Sequence, residues 1–327
     1  MKESRREINS VKSVSKLLRK IIRLQREEAL IPPGSSILIA FSGGIDSVVL
    51  THALLQLKSF LKLKSIAVAH FNHMLRKNSL QDEEFAKDFA VKNGIEIFIG
   101  REKVGEIAKK SGRNVEETAR DLRYSFLRSL KSEKGYDLIA TGHHLSDLVE
   151  TVLLWLIRGA GFEGLLGFEP KEGDVVRPLY RVTRQEIENY AKAYKLQWIE
   201  DPTNRDLRFY RNRLRHEVIP ILRELNPSVE ETFLRMREIL KEENDLLHRI
   251  SSDLLKQLKV GDCLKARDLG KEHTALQRRI LMEFSRVKSF SKIEQMRRLL
   301  YKGGQIKLGD GLKVVRKGEY LCLKKVE

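Results

Sequence analysis

Cysteine is almost absent from the 327 residues: Cys263 and Cys322 are the only two, and both fall in the last quarter of the chain. Two cysteines so far apart outline neither a disulfide framework nor a zinc knuckle, and they read as ordinary thiols. Long apolar runs are also missing. No stretch approaches the roughly 20 apolar residues of a membrane span, and Met1 to Arg26 is charged throughout, unlike a signal peptide. A membrane partner is thereby excluded, and a cytoplasmic location is expected. Acidic residues are too few to balance the basic ones: 45 Asp and Glu against 62 Lys and Arg leave a formal charge of +17.

Such a charge raises the local concentration of polyanions and favours nucleic acid as the partner, through phosphate contacts. The plain alternative is the Lys- and Glu-rich surface of a heat-adapted protein. With 41% apolar residues the chain can bury a core, and its length suits a nucleotide-binding domain of roughly 200 residues plus a smaller companion.

The spacing predicts a helix over residues 13–30, ending at Pro32-Pro33-Gly34, and a buried strand over 37–41. Further strands at 65–69, 96–99 and 138–141 alternate with helices near 46–60, 82–92, 114–130 and 146–157. This alternation predicts an α/β fold, a doubly wound parallel sheet of Rossmann-like kind. A short strand near Val175 and a helix over 183–194 follow. Pro227 suggests a boundary region, and we divide the chain into a catalytic domain, 1–216, and a small, mainly helical C-terminal domain, 217–327. The latter is headed by a long amphipathic helix over 229–258, with helices near 274–284 and 291–301 and two weak strands at 305–307 and 313–323.

Ser42-Gly43-Gly44-Ile45-Asp46-Ser47 joins the first strand to the next helix, so backbone N–H groups and the helix dipole converge on that turn. The expected ligand is phosphate. Glycines at 43 and 44 admit close approach, Ser42 and Ser47 add hydroxyl donors, and Asp46 is a candidate for the Mg2+ that escorts a triphosphate. No Walker lysine follows. A plain strand-to-helix turn would explain the glycines but not the serines and the aspartate.

Thr141-Gly142-His143-His144 leaves the fourth strand and runs into a helix where His143, Asp147 and Glu150 lie at i, i+4 and i+7, so one face carries all three. At the carboxyl ends of parallel strands such a face could bind a cation and accept its proton. A helix N-terminus with acids complementing its dipole, or a metal site, would use the same residues. Upstream, Asn114-Val115-Glu116-Glu117 leads to Arg120 and Arg123, with Glu116, Arg120 and Arg123 stacked on one helical face that, taken alone, reads as a salt-bridge ladder. His70 and Phe71 open the segment to Arg76 where such a sheet would meet adenine and ribose; a surface loop is an equal reading. Arg205, Arg208, Arg211, Arg213 and Arg215, with Phe209, Tyr210 and Asn212 interleaved, suit phosphate clamping and base stacking, or a solvated basic face.

The phosphate loop matches the Ser-Gly-Gly-x-Asp-Ser signature of PP-loop ATP pyrophosphatases. Taken in order with His70 to Arg76, Asn-x-Glu-Glu-x-x-Arg, Thr-Gly-His-His-x-x-Asp-x-x-Glu-Thr, Arg158-Gly159-x-Gly161, Arg177-Pro178-Leu179, Arg184 with Glu186-Ile187, Asp201-Pro202-Thr203-Asn204 and Tyr210-Arg211-Asn212, residues 36–216 resemble the tRNA(Ile)-lysidine synthase family. Thr203 stands where that family's pattern has serine, and one small C-terminal domain is expected where longer members carry a second. The resemblance implies ATP and Mg2+ as cofactors, and free L-lysine and tRNA(Ile) with a CAU anticodon as partners; a homodimer is allowed. It implies transfer of lysine to carbon 2 of the wobble cytidine through an adenylated intermediate. Ser42 to Ser47, His70 and Phe71 would hold ATP; His143, Asp147, Glu150 and Arg120 would do the chemistry; Glu117, Arg205, Arg208, Arg211, Asn212 and Arg215 would bind substrate or RNA. A tRNA thiolase of the same superfamily needs cysteine, and none occurs in residues 1–262. A GMP- or NAD-synthetase-like ligase has no use for a +17 surface, and a non-catalytic nucleotide sensor none for a proton acceptor.

Overall fold

The computed structural model describes residues 15–75, 79–200, 206–309 and 311–326, which part into two units between Arg235 and Met236. In the first unit, α1 (Lys16–Glu28) is capped by Ser15, whose Oγ accepts from the Leu18 N–H, and buries Leu17, Leu18, Ile21, Ile22 and Leu24 along one stripe. Then follow β1 (Ser36–Ala40), α2 (Ile45–Gln56), β2 (Ser65–Asn72), α3 (Ser79–Asn93), β3 (Glu96–Arg101), α4 (Val104–Ser111), α5 (Val115–Lys134), β4 (Leu138–Ala140), α6 (Leu145–Ile157), α7 (Phe162–Leu165), β5 (Lys171–Glu172), β6 (Val175–Val176) and α8 (Arg184–Ala193).

The six strands run in the order β3-β2-β1-β4-β6-β5, parallel except for the short β5–β6 pair. Both faces are covered, which the unbroken apolar run of β1 requires. Ile37 and Ile39 face a core shared with α1, α2, α6 and α8, whereas Leu38 faces Leu127 and Leu130 of α5. The order reverses between β1 and β4, the switch point beside whose carboxyl ends such sheets place ligands.

The chain continues through α9 (Tyr210–Arg213), a π-helical turn (Leu214–Val218), α10 (Ile219–Leu225) and α11 (Val229–Leu258). The second unit adds β7 (Lys259–Val260), β8 (Cys263–Lys265), α12 (Ala266–Leu269), α13 (Thr274–Ser285), α14 (Phe290–Leu299), β9 (Gly304–Gly309), β10 (Leu312–Lys317) and β11 (Tyr320–Lys325). Its strands form an antiparallel sheet, β7-β8-β11-β10-β9, around Leu264, Val314 and Leu321. The weak strand expected over 313–323 is a hairpin, and β7 and β8, at two and three residues, are too short to show a period.

The expectation of separate thiols is overturned. Cys263 and Cys322 form a disulfide across 59 positions of sequence. Antiparallel pairing of β8 with β11 sets the two cysteines directly opposite each other. That proximity belongs to the sheet and leaves no trace in sequence spacing. Among the described residues no helix is long and apolar enough to cross a membrane, and no cluster of His, Cys, Asp and Glu has the make-up of a metal site.

Candidate active site

The phosphate loop closes between β1 and α2. Gly43 adopts φ +81, and a side chain there would meet Ile199 Cδ1 at 3.1 Å, so glycine is needed for both backbone and space. The loop is braced from within: Ser47 Oγ donates to the Gly44 carbonyl at 2.9 Å and lies 3.2 Å from Ser42 Oγ. Gly44 is the N-cap of α2 without a side-chain cap, which leaves the first N–H groups of the helix for an anion. Asp46 accepts from Arg184 Nη1 with both oxygens, at 2.9 and 3.1 Å, and His144 Nε2 lies 3.6 Å away. Gly142 lets β4's exit pass against Asp46, where a Cβ would stand 3.2 Å from its backbone.

The second constellation differs in detail from a helical face. α6 starts at Leu145 with His144 as its N-cap, so His143 precedes the helix. His144 Nδ1 accepts from the Asp147 N–H, and Asp147 Oδ2 accepts from the His144 N–H, a reciprocal capping box. Asp147 therefore serves the helix N-terminus while still lining the cavity. Glu150 is 1% exposed and accepts from Arg211 Nε at 2.8 Å and from Arg215 Nε at 2.6 Å. Arg215 also reaches Asp147 at 3.3 Å.

These charges set the protonation states. Burial pushes His143 down to about 3, with Arg177, Arg123 and Arg211 adding to the effect and Asp147 opposing it. The imidazole is neutral at pH 7, with Nδ1 2.8 Å from the Thr141 hydroxyl. Burial raises Asp147, but the charges of His144, Arg211, His143 and Arg215 outweigh it and hold the carboxyl well below its ordinary range. Burial lowers Arg211 and Arg215, yet the same carboxylates raise both guanidinium groups above their usual value.

A cavity of about 740 Å³ gathers Ser42, Asp46, Ser47, His143, Asp147, Arg211, Asn212 and Arg215. A second, of about 350 Å³, shares Ser42 with it and takes His70 and Phe71 into its wall. His70 Nδ1 lies 3.0 Å from the Phe41 carbonyl, so this nitrogen carries the proton, and Nε2 is a buried acceptor with no protein partner. Ile45 is buried beneath the loop.

Other expected residues lie elsewhere. Arg120 is exposed, its guanidinium 5.0 Å from the Tyr124 ring centre, and Glu117 pairs with Arg113 at 3.3 Å. Arg208 is exposed and pairs with Asp206 at 2.7 Å. Arg205, Arg76 and the stretch 201–204 lie outside the described residues. Arg123, rather than Arg120, lines both cavities, with Nε buried and without a hydrogen-bond partner. The sequence does hold the signal: Glu116, Ala119, Arg123 and Leu127 form one helical stripe, with apolar residues flanking the arginine, and all four line the cavity. No local pattern points to Arg184, whose contact with Asp46 spans 138 positions.

An ATP-sized cavity at the switch point, floored by a lysine-free glycine loop, defines an ATP-binding protein of the PP-loop class. The PP-loop domain family matches residues 11–222, and a TilS-like substrate binding domain matches residues 258–323. The chain is 36% identical to a tRNA(Ile)-lysidine synthase of Persephonella marina, over 94% of this chain and 70% of that one. It is 40% identical to one of Thermosipho africanus over 68% of this chain, spanning about half (52%) of that relative's length. The chain belongs to the tRNA(Ile)-lysidine synthase family. Among solved structures, the U34-tRNA thiolase NcsA from Methanococcus maripaludis shares the fold, with a TM-score of 0.57 and 20% identity over 69% of this chain and 79% of that one.

Proposed function

We propose that this protein ligates free L-lysine to carbon 2 of the wobble cytidine of tRNA(Ile) with a CAU anticodon. The observation that carries the reading is the single cavity in which the phosphate loop meets His143, Asp147, Arg211 and Arg215. The cytosine carbonyl offers no leaving group. Its oxygen attacks the α-phosphorus of ATP and pyrophosphate departs; the lysine Nε then attacks carbon 2, and AMP leaves with that oxygen. The amine must shed its proton, and His143, Asp147 and Glu150 are the candidate acceptors; the burial that keeps His143 neutral also weakens it as a base.

Asp147 and Glu150 are matched by the guanidinium groups of Arg211 and Arg215, so they would select a dibasic amino acid by letting its ammonium displace one of those arginines. Mg2+ fits this site as the escort of ATP, because it needs only one or two carboxylates besides phosphates and water; Asp46 would hold it by sharing an oxygen now engaged by Arg184. Arg123, at the junction of the two cavities, is placed to meet the phosphates or the lysine carboxylate. Arg208 and the other basic residues near it, with Phe209 and Tyr210, would grip the single-stranded anticodon loop, and residues 217–327 the rest of the tRNA. The setting is the cytoplasm. A persulfide-based thiolase is disfavoured, since residues 1–262 hold no cysteine.

Pyrophosphate release with unfractionated tRNA, with and without lysine, followed by nucleoside analysis, tests the reading. Lysine-dependent appearance of a heavier cytidine supports it; turnover without RNA overturns it. Asp147→Asn and Glu150→Gln should keep adenylate formation and lower lysine transfer by about 10²-fold or more, and an unchanged lysidine yield would remove both residues from the lysine step.

A further inference from the structure

Behind the wall of the smaller cavity lies a polar group that the chemistry above does not use. Glu83, on α3, is 1% exposed and faces Asn72 at the end of β2. Asn72 Nδ2 donates to Glu83 Oε1 at 2.6 Å, and Arg101 donates from Nε and Nη2 to the same carboxylate at 2.9 and 2.7 Å. The Arg101 hydrogen bonds, with Asn72 assisting and burial opposing, hold Glu83 down to about 2, so it is ionised throughout the working range.

An ionised carboxylate leaves the Asn72 amide one orientation, because only its NH2 can face Glu83. The same NH2 donates to the Ser79 carbonyl at 3.0 Å, and Oδ1 accepts from the Met74 N–H at 2.8 Å. That last bond closes a turn in which Met74 sits at φ 50, a left-handed conformation rare for a residue with a side chain. Met74, its neighbours His73 and Leu75, and Asn72 itself are wall residues of the cavity, whereas Glu83 lies behind them.

We propose that Asn72 and Glu83 are positioning residues for the nucleoside part of ATP: Arg101 orients Glu83, Glu83 orients the Asn72 amide, and the amide locks the Met74 turn against which base and ribose rest. The inference depends on the assignment of the two cavities to one nucleotide, with triphosphate on the loop and nucleoside beside His70. Phosphate binding at Ser42 to Ser47 does not pass through this chain of contacts.

Calorimetric titration of the full chain with ATP and, separately, with inorganic tripolyphosphate tests it. Asn72→Ala should bind ATP about ten-fold more weakly, equivalent to roughly 1.4 kcal/mol, and tripolyphosphate within about two-fold of the parent. Asn72→Asp keeps the size and the acceptor but sets a second negative charge against Glu83, and should lose ATP affinity similarly. Adding Glu83→Gln to Asn72→Asp restores a donor facing an acceptor and should recover most of the loss, which a merely structural role would not produce. Equal weakening of both ligands, or unchanged ATP affinity in Asn72→Ala and Asn72→Asp, overturns the proposal while leaving the cavity assignment intact. A parent protein that binds ATP no tighter than tripolyphosphate overturns the assignment, and the proposal with it.

Discussion

His143 is neutral in the folded protein because burial penalises its cationic form, and an unfolded chain restores an ordinary imidazole. Between about pH 6.5 and about 3 the unfolded state therefore binds the proton that the folded state refuses, so this residue makes stability rise with pH across that window. His143→Asn should flatten the rise of unfolding midpoint with pH between those limits, as followed by thermal melts. Activity should show no limb near pH 6.5 arising from His143; such a limb in the parent that vanishes in His143→Asn would contradict a neutral imidazole. Glu83 has the opposite sign of charge but its stabilising effect also grows with pH. Its folded value near 2 lies below the ordinary 4.5, so the stabilisation is complete above 4.5 and is lost as pH falls toward 2.

Strand-to-helix turns concentrate the chemistry at the level of elements. The phosphate loop depends on Gly43 in a left-handed conformation with Ile199 and Phe85 against its α-carbon. Gly43→Ala should destabilise the protein by about 1–2 kcal/mol through backbone strain alone, with ATP affinity falling further because the anion-facing N–H groups shift; denaturant unfolding and titration with ATP measure the two effects. The strands were legible in sequence because a parallel sheet covered on both faces needs continuous apolar runs, as in Ile37 to Ile39. The start of α6 was legible to within one residue, but its cap was not. Its capping box places His144, rather than His143, at the N-cap, and only hydrogen-bond geometry distinguishes the two adjacent histidines. Arg120 and Arg123 lie only about 60° apart around the axis of α5, and burial decides which faces the cavity.

The whole molecule carries one covalent link that spacing did not announce. A disulfide closing 59 positions restricts the unfolded chain, and reduction should lower stability by roughly 2–4 kcal/mol. Unfolding of the full chain with and without reductant, beside Cys263→Ser, measures this; a transition indifferent to reductant would show that the bond contributes nothing. The basic excess occurs on both sides of residue 216, so charge alone did not say which part meets RNA.

By itself the sequence determined the alternating sheet, the phosphate loop and the candidates for acid and base chemistry, since apolar periodicity, glycine and residue type are local properties. Tertiary structure decided the partners: Arg211 and Arg215 on Glu150, Arg184 on Asp46, Arg123 in the cavity wall, Cys263 beside Cys322. Each of these joins positions far apart in the chain or chooses between neighbours on one helix, and only packing brings such groups within hydrogen-bond or covalent reach.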